Sequence, residues 1–219
     1  MSNDAKKRLY VGAEASGKTT LAIRDARKEK LLLILDLNRQ DSLARGSHVV
    51  VSYQDVRQAK KALLQTFSNI DRRKKYHVTW QIPKDMRAQD ALDFAIRVLN
   101  AIGGGALLID ETESFIPALG KLSDSVRIVA KRGRHINPMP LYMTVQKPTE
   151  LNHVVRNNVW TTAYFKLFEA GAIDFFAKQS ALFIKKVEAV NMLKSLKEFE
   201  YILIERNKEP KKMKKIKKT

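Results

Sequence analysis

The chain has 219 residues, of which 44% are hydrophobic, and this is enough for one α/β domain with a sizeable core. Its 41 Lys and Arg residues outnumber 23 Asp and Glu residues, and the net charge of +18 favours nucleic acid as a partner over a membrane surface or mere solubility charge. The absence of cysteine excludes disulfides, thiolate catalysis and Cys-ligated zinc. The N-terminus lacks a signal-peptide core and the longest apolar run, residues 31–35, cannot span a bilayer, so we expect a soluble, cytoplasmic protein that is not secreted.

Apolar runs bounded by polar turns alternate with helical patterns, which predicts an α/β fold with a mainly parallel sheet flanked by helices. The predicted strands are residues 8–11, 31–36, 48–52, 77–82, 106–110, 141–146, 160–166 and, as an edge strand, 198–204. The predicted helices are residues 19–28, 58–65, 88–101, 122–131 and 185–196. We expect one domain at 1–206, followed by a disordered tail at 207–219, where seven Lys and one Glu carry too much charge to pack.

A phosphate-binding pattern follows the first predicted strand. Residues 12–19 match G-x-x-x-x-G-K-[ST] at every fixed position, and a helix is predicted to begin where the pattern ends. The glycines would let backbone N–H groups turn around a triphosphate, Lys18 would reach the β- and γ-phosphates, and the Thr19 hydroxyl would bind Mg²⁺. The sequence therefore predicts ATP and Mg²⁺ as cofactors. The residues expected at the nucleotide are Gly12, Ala13, Glu14, Ala15, Ser16, Gly17, Lys18, Thr19 and Thr20.

An acidic pair ends the strand predicted at residues 106–110. Asp110 would lie at the carboxyl edge of the sheet beside the phosphate loop, where its carboxylate can hold the Mg²⁺ shell. Glu111 would then lie near the γ-phosphate and act as the general base that polarises a water molecule. Glu113 is a second option for that base, although its position favours a solvated loop acid.

The next strand ends at Gln146, which we predict to sense the γ-phosphate from a place between it and Asp110. Nucleotide kinases usually place the Mg²⁺-binding strand beside the phosphate-loop strand, whereas motor ATPases place another strand between them. Sequence does not reveal this strand order directly. The adjacent Glu111 resembles the motor-ATPase branch.

Residues 133–151, Gly-Arg-His-Ile-Asn-Pro-Met-Pro-Leu-Tyr-Met-Thr-Val-Gln-Lys-Pro-Thr-Glu-Leu, resemble the Gly-Arg-His…Gln-Arg-Pro…Glu-Leu signature of the FtsK/HerA superfamily of ring-forming, DNA-pumping ATPases. The resemblance extends from Tyr10 to about Lys166, and the small size is similar to the genome-packaging ATPases of membrane-containing double-stranded DNA viruses. The chain departs from the signature at Lys147, where Arg is common, which is a mild change. It also has Thr-Glu-Ser at residues 112–114, directly after Asp110 and Glu111, in place of the Ala-His that is often found there.

The resemblance implies a RecA/FtsK-like motor core that forms a ring, for which we expect six subunits, and that translocates double-stranded DNA. It also implies an arginine supplied across the subunit interface to stabilise charge on the transferring phosphoryl group. The four possible residues are Arg127, Arg132, Arg134 and Arg156, and we favour Arg132 and Arg134 because they precede the sensor strand. The protein would lie in the host cytoplasm or at the virion vertex.

Basic clusters suit contacts with phosphate groups that do not depend on base sequence. They are Arg57/Lys60/Lys61, residues 72–75 with Tyr76 and Trp80 nearby, residues 131–134, Lys185/Lys186 and the tail, which could also bind capsid or membrane proteins. Three other functions remain open. They are a filamentous-phage-type assembly and export ATPase, a nucleotide or small-molecule kinase, and a nucleotide-gated nucleic-acid-binding module.

Overall fold

The structure is a computed structural model that describes residues 7–71, 73–132, 139–206 and 208–213, with the backbone alone at residue 132. Within these ranges the strands are β1 (Lys7–Val11), β2 (Leu31–Asp36), β3 (Val49–Ser52), β4 (Tyr76–Gln81), β5 (Ala106–Ile109), β6 (Leu141–Val145), β7 (Thr161–Tyr164), β8 (Tyr201–Glu205) and β9 (Lys211–Met213). The helices are α1 (Lys18–Ala26), α2 (Asp41–Ala44), α3 (Val56–Ser68), α4 (Ala88–Ala101), α5 (Thr112–Phe115), α6 (Asp124–Arg132), α7 (His153–Arg156), α8 (Ala170–Ser180) and α9 (Lys186–Lys194). A 3-10 turn covers Pro148–Glu150.

All the strands pair in one sheet of order β3-β4-β2-β5-β6-β1-β7-β8-β9. The pairings from β3 through to β7 are parallel, and β8 and β9 run antiparallel to their neighbours. The predicted α/β fold with a mainly parallel sheet is confirmed. Strand β6 lies between β1 and β5, which is the order of the motor-ATPase branch and not that of the nucleotide kinases.

Both faces of the sheet are buried, because alternate residues of each central strand point to opposite sides. In β2, Leu32 and Ile34 pack in the cluster that includes α1 and Leu43 of α2. Leu33 and Leu35 pack in the larger cluster, which includes residues of α3, α4, α6, α8 and α9. The molecule is therefore a three-layer sandwich, and the continuous apolar run of β2 reflects burial on both faces.

The C-terminal part of the chain differs from the predicted organisation. The strand predicted at 198–204 begins at Tyr201 and is not an edge strand, since β9 covers its outer side. The expectation that residues 207–219 do not pack is wrong for Lys211–Met213, because the backbone of this segment pairs with β8 and Met213 packs against the buried cluster that includes Tyr201. Residues 214–219 lie outside the described ranges. Helix α8 has no counterpart among the predicted elements.

The parallel strands bring four chain positions to one edge of the sheet. Val11 pairs with Val145, Ile109 with Met143, and Leu35 with Ile109, so β1, β6, β5 and β2 end side by side. Ligands of open α/β sheets bind at this carboxyl edge. The polar residues that follow these four strands form the site described next.

Candidate nucleotide-binding site

The loop between β1 and α1 is anchored to two neighbouring strands. The Gly12 N–H donates to the Val145 carbonyl at 3.2 Å, and the Ala13 N–H donates to the Lys166 carbonyl at 3.3 Å. Gly17 has φ 96°, the left-handed conformation predicted for a glycine of this pattern. Gly12 is required for a different reason, because a Cβ there would lie 2.6 Å from Ser16 Oγ and 2.7 Å from Phe165 Cβ.

Helix α1 begins directly after this loop, at Lys18, and its N-terminus faces the carboxyl edge of the sheet. The free N–H groups and the dipole of such an end favour an anion. The Lys18 side chain is largely buried, and its Nζ donates to the Ala13 carbonyl at 3.3 Å, so the ammonium group lies across the loop. The loop thus places a cation and a helix end on one small concave surface.

Asp110 follows β5 and is held by three side chains from three other elements. Thr19 Oγ1 donates to Asp110 Oδ1 at 3.0 Å, and Thr144 Oγ1 donates to the same oxygen at 2.6 Å. Gln40 Nε2 donates to Asp110 Oδ2 at 2.9 Å. The structure therefore brings together Thr19 and Asp110, the two residues predicted to hold a metal.

The hydroxyl oxygen of Thr19 and the carboxylate of Asp110 fit a magnesium ion that takes its remaining ligands from phosphates and water, as Mg²⁺ does in nucleotide sites. Among the described residues there is no group of three or more His, Cys, Asp or Glu side chains that could hold a metal by itself. An ion bound here would thus depend on the nucleotide for part of its coordination shell.

Glu111 is the next residue after Asp110, and its backbone is left-handed, with φ 53° and ψ 55°. The Glu111 N–H donates to Thr144 Oγ1 at 3.0 Å, which fixes this turn to β6. The Glu111 carboxylate accepts a hydrogen bond of 2.8 Å from Asn38 Nδ2. The side chain is half-buried and lines the same cavity as the phosphate loop.

Gln146 follows β6, the strand between β1 and β5, and lines that cavity with an exposed side chain. Its backbone N–H donates to Glu113 Oε1 at 2.9 Å. The interpretation of Glu113 as a solvated loop acid is wrong, because its Oε2 is buried without a hydrogen-bond partner among the described residues. Burial raises the pKa of the Glu113 carboxyl above its ordinary value, the charge of Glu111 adds to this, and the Gln146 N–H and Lys18 oppose it.

The loop after β2 contributes two residues that sequence reasoning missed, Asn38 and Gln40. Asp36 is fully buried, and its Oδ1 accepts from the Gln40 N–H at 3.1 Å, so this carboxylate caps the loop that carries Asn38 and Gln40. Burial raises the pKa of the Asp36 carboxyl, while N–H groups of the same loop lower it. The available signal was a buried strand followed at once by polar amides, which places them at the carboxyl edge.

A cavity of about 520 Å³ unites these elements, within the range usual for small-molecule sites. It is lined by Glu14, Ala15, Ser16, Gly17, Lys18, Thr19, Thr20, Gln40, Asp110, Glu111, Gln146, Glu198 and Phe199. Gly12 and Ala13 are not in its wall, although both belong to the predicted phosphate loop. The other predicted site residues between 14 and 20, together with Asp110, Glu111 and Gln146, meet around one space.

Of the two favoured trans-acting arginines, the structure describes only the backbone of Arg132. Helix α6 ends at Arg132, and the Ala130 carbonyl in its last turn accepts a hydrogen bond from Lys7 Nζ at the start of β1. This end of α6 is thus at the amino edge of the sheet, separated from the phosphate loop by the length of β1. The side chain of Arg132 and all of Arg134 lie outside the described residues.

The two remaining arginines make contacts within the chain. Arg156 Nη1 donates to the Pro148 carbonyl at 3.1 Å, and its guanidinium lies 5.1 Å from the centre of the Phe175 ring. Arg127 pairs with Asp124 in the same helix. Arg156 is held by these contacts within its own chain. The exposed i,i+3 ion pair of Arg127 is weak, so this side chain could readily leave Asp124 for another partner.

The residues predicted to contact DNA divide into exposed and buried ones. Arg73, Lys74 and Lys75 are exposed before β4, at the amino edge of the sheet, while Arg72 is outside the described residues. Trp80, which lies near this basic cluster in sequence, is fully buried in the core and is not available for a contact with DNA. Trp80 belongs to a central strand whose faces are both covered.

The fold and the carboxyl-edge arrangement define a P-loop ATPase fold in which a strand separates the phosphate-loop strand from the acidic strand. The solved structure of the genome packaging NTPase B204 from Sulfolobus turreted icosahedral virus 2, in complex with sulfate, matches with a TM-score of 0.72 at 18% identity, over 99% of this chain and 100% of that chain. B204, the DNA-packaging ATPase from Sulfolobus turreted icosahedral virus, matches with a TM-score of 0.68 at 18% identity, over 98% and 100%.

VirB4 of Thermoanaerobacter pseudethanolicus also matches, with a TM-score of 0.65 at 11% identity over 97% of this chain and 90% of that chain. The comparisons with protein-family models and with curated proteins gave no match. The predicted resemblance to viral genome-packaging ATPases is thus confirmed at the level of the fold. In the part of the chain that the structure describes, no helix is both long and apolar enough to cross a membrane.

Proposed function

We propose that this chain is an ATP-hydrolysing motor that moves double-stranded DNA in the packaging of a viral genome. One observation carries the proposal, which is that the phosphate loop, Asp110, Glu111 and Gln146 line one cavity at the carboxyl edge of a sheet with β6 between β1 and β5. Support comes from B204, whose fold matches over the full length and which was solved with AMP, AMPPCP and ATP-gammaS.

The phosphate loop and Thr19 would bind the triphosphate and its metal. Lys18 would leave the Ala13 carbonyl, 3.3 Å away, for the β- and γ-phosphates. Thr19 Oγ1, now bonded to Asp110, would bind Mg²⁺, with Asp110 holding the shell of the ion. Mg²⁺ supplies neutralisation of charge on the phosphoryl group that is transferred.

Glu111 would orient and deprotonate the attacking water, because it is the half-buried carboxylate that follows Asp110 and faces the cavity. Asn38 holds one oxygen of this carboxylate at 2.8 Å and leaves the other for water. Glu113 would instead act as a positioning residue, since its Oε1 fixes the backbone of Gln146. Gln146 would sense the γ-phosphate from the end of β6.

The arginine that completes the site would come from a neighbouring subunit. The end of α6 lies at the amino edge, so Arg132 is far from the phosphate loop of its own chain and suits a site across an interface. We propose Arg132 or Arg134 for this role, in a ring whose adjacent subunits place an amino edge against a carboxyl edge. A guanidinium suits the role through its permanent charge and forked donors.

The DNA partner is proposed on charge. The chain carries a net charge of +18, and exposed Arg73, Lys74 and Lys75 lie at the amino edge, away from the nucleotide cavity. Contacts with phosphates alone suit a motor that must move along any sequence. The Lys-rich residues 214–219 could bind DNA or a capsid or membrane protein. The strand order and Glu111 argue against a kinase.

Steady-state ATP hydrolysis with Mg²⁺, titrated with double-stranded DNA at several protein concentrations, tests the proposal. We expect a rate that rises with DNA and more than linearly with protein, because each site needs a neighbour. Glu111→Gln should retain ATP binding and lose at least about a hundredfold in turnover, and exposed Glu209→Gln should behave as wild type. A rate indifferent to DNA and to protein concentration would exclude the shared-site motor.

A further inference from the structure

Part of the wall of the nucleotide cavity is formed by the turn between α9 and β8. Along the chain, this turn is the part of the wall farthest from the phosphate loop. Glu198 and Phe199 of this turn line the cavity together with the phosphate loop. We propose that the Phe199 ring is the platform on which the base of a nucleoside triphosphate stacks, and that Lys212 positions it. The inference rests on the proposed function, since it names how the same site recognises the nucleoside part of its substrate.

The composition of the cavity wall supports separate places for the phosphates and for the base. Lys18, Thr19, Asp110, Glu111 and the loop N–H groups suit phosphates, metal and water. Phe199 is the only aromatic side chain among the described residues that line the cavity, and it is half-buried. An aromatic face offers nothing to a phosphate but stacks with any base.

The backbone of Phe199 gives a second, independent indication. Its φ is 64°, in the left-handed region that residues with a Cβ rarely adopt. Glycine or asparagine would adopt this conformation more easily, yet the position holds a large ring. Unfavourable backbone conformations of this kind occur where a side chain must be presented to a ligand.

The turn is held in place by the C-terminal strand. The Lys197 N–H donates to Glu200 Oε2 at 2.9 Å, and the Glu200 N–H donates to the Lys197 carbonyl at 3.1 Å. Lys212 Nζ lies 3.1 Å from the same Glu200 oxygen and donates to the Ser195 carbonyl at 2.9 Å. Lys212, paired with Ile202 in the sheet, thus ties both sides of the turn that carries Phe199.

Two probes separate the base from the phosphates. We would measure binding of AMPPCP and of inorganic tripolyphosphate, both with Mg²⁺, to the full chain. Phe199→Ala should weaken AMPPCP binding about tenfold and leave tripolyphosphate binding unchanged. Phe183→Ala, a change of a partly exposed phenylalanine outside the cavity, should alter neither affinity.

A gain-of-signal variant makes the test independent of folding defects. Phe199→Trp should keep AMPPCP affinity, and its indole fluorescence should change with AMPPCP but not with tripolyphosphate, after subtraction of the wild-type signal. Lys212→Met should weaken AMPPCP binding selectively, with recovery in Lys212→Arg. Lys211→Met, one residue away on the same strand, should leave AMPPCP binding unchanged.

The outcomes distinguish this inference from the function it rests on. If wild type binds neither probe, the nucleotide site itself is refuted. If wild type binds both, but Phe199→Ala weakens both equally or neither, or if the Phe199→Trp signal is indifferent to AMPPCP, the base platform is overturned while the ATPase proposal stands. A selective loss at Phe199 without one at Lys212 would remove only the positioning role.

Discussion

Asn38 Nδ2 lies 2.8 Å from Glu111 Oε2, and this hydrogen bond joins the ends of two adjacent strands, β2 and β5. The loop that carries Asn38 is itself capped by the buried carboxylate of Asp36, so the donor has a fixed position. The hydrogen bond therefore fixes the direction of the Glu111 carboxylate. The relationship connects a structural acid in the core with the carboxylate proposed to activate water.

Removal of this contact should impair turnover without impairing nucleotide binding. We expect Asn38→Ala to lower kcat about tenfold at unchanged KM for ATP, because a misdirected base costs rate but not affinity. Asn38→Asp should be worse, since it places a like charge against Glu111. Asn100→Ala, at an exposed position of α4, is the matched control; a rise in KM with intact kcat for Asn38→Ala would contradict the assignment.

The 3.0 Å contact between Thr19 Oγ1 and Asp110 predicts that both residues take part in binding the same Mg²⁺ ion. Thr19→Val keeps the shape of the side chain and removes the oxygen, so the Mg²⁺ concentration for half-maximal ATP hydrolysis should rise by at least about tenfold. Thr66→Val on α3, far from the cavity, should leave the Mg²⁺ titration in place. Superimposable Mg²⁺ curves for wild type and Thr19→Val would count against a metal at these oxygens.

Two glycines should respond in opposite ways to the same added methyl group. Gly12→Ala would place Cβ 2.7 Å from Phe165 Cβ, and such overpacking costs about 1–3 kcal/mol, with displacement of the loop and loss of ATP binding. Gly171→Ala in α8 meets its nearest atom at 3.6 Å and should stabilise the fold by about 0.5 kcal/mol. Urea denaturation and nucleotide titration of both variants check this pair, and a Gly12→Ala protein with normal ATP affinity would refute it.

Glu113 should make stability depend on pH. Burial raises the pKa of its carboxyl above the ordinary value of 4.5, so between the two values the folded chain binds more protons than the unfolded chain. Stability from this group is therefore present at low pH and is lost as pH rises through the raised pKa. Glu113→Gln lacks this loss, and its Oε1 can still accept from Gln146.

The measurement is the difference in unfolding free energy between Glu113→Gln and wild type at a series of pH values from about 4 to about 8. We expect the difference to move in favour of the variant as pH rises and then to level off. Other titrating groups, including buried His77, contribute to both proteins and cancel. A difference that is flat across the series would mean that the carboxyl titrates normally.

Sequence alone predicted the elements whose signals are local. The run 31–36 and the helix at Ala88–Ala101 follow from burial and periodicity, and the phosphate loop follows from its fixed residues. Contacts that depend on strand order were not predictable in this way. Gln40 reaches Asp110 only because β2 and β5 are neighbours, and their separation along the chain hides this.

The errors have the same origin. Glu113 looks solvated in sequence, but α5 directs it toward the backbone of Gln146. The Lys-rich segment looks too charged to fold, but the backbone of Lys211–Met213 pairs with β8 and the Lys212 side chain forms an ion pair with Glu200. In each case the residue contacts a neighbour that is distant in sequence, and no local pattern encodes that neighbour.

Strand β9 also determines how the sheet ends. It is three residues long and carries Lys211 and Lys212, which are features that natural edge strands use against pairing with other molecules. The neighbouring strand β8 holds the buried residues Tyr201, Ile202 and Ile204. Removal of the chain from Lys211 onward would uncover an apolar strand with unpaired N–H and C=O groups, so the shortened protein should self-associate edge to edge and form aggregates.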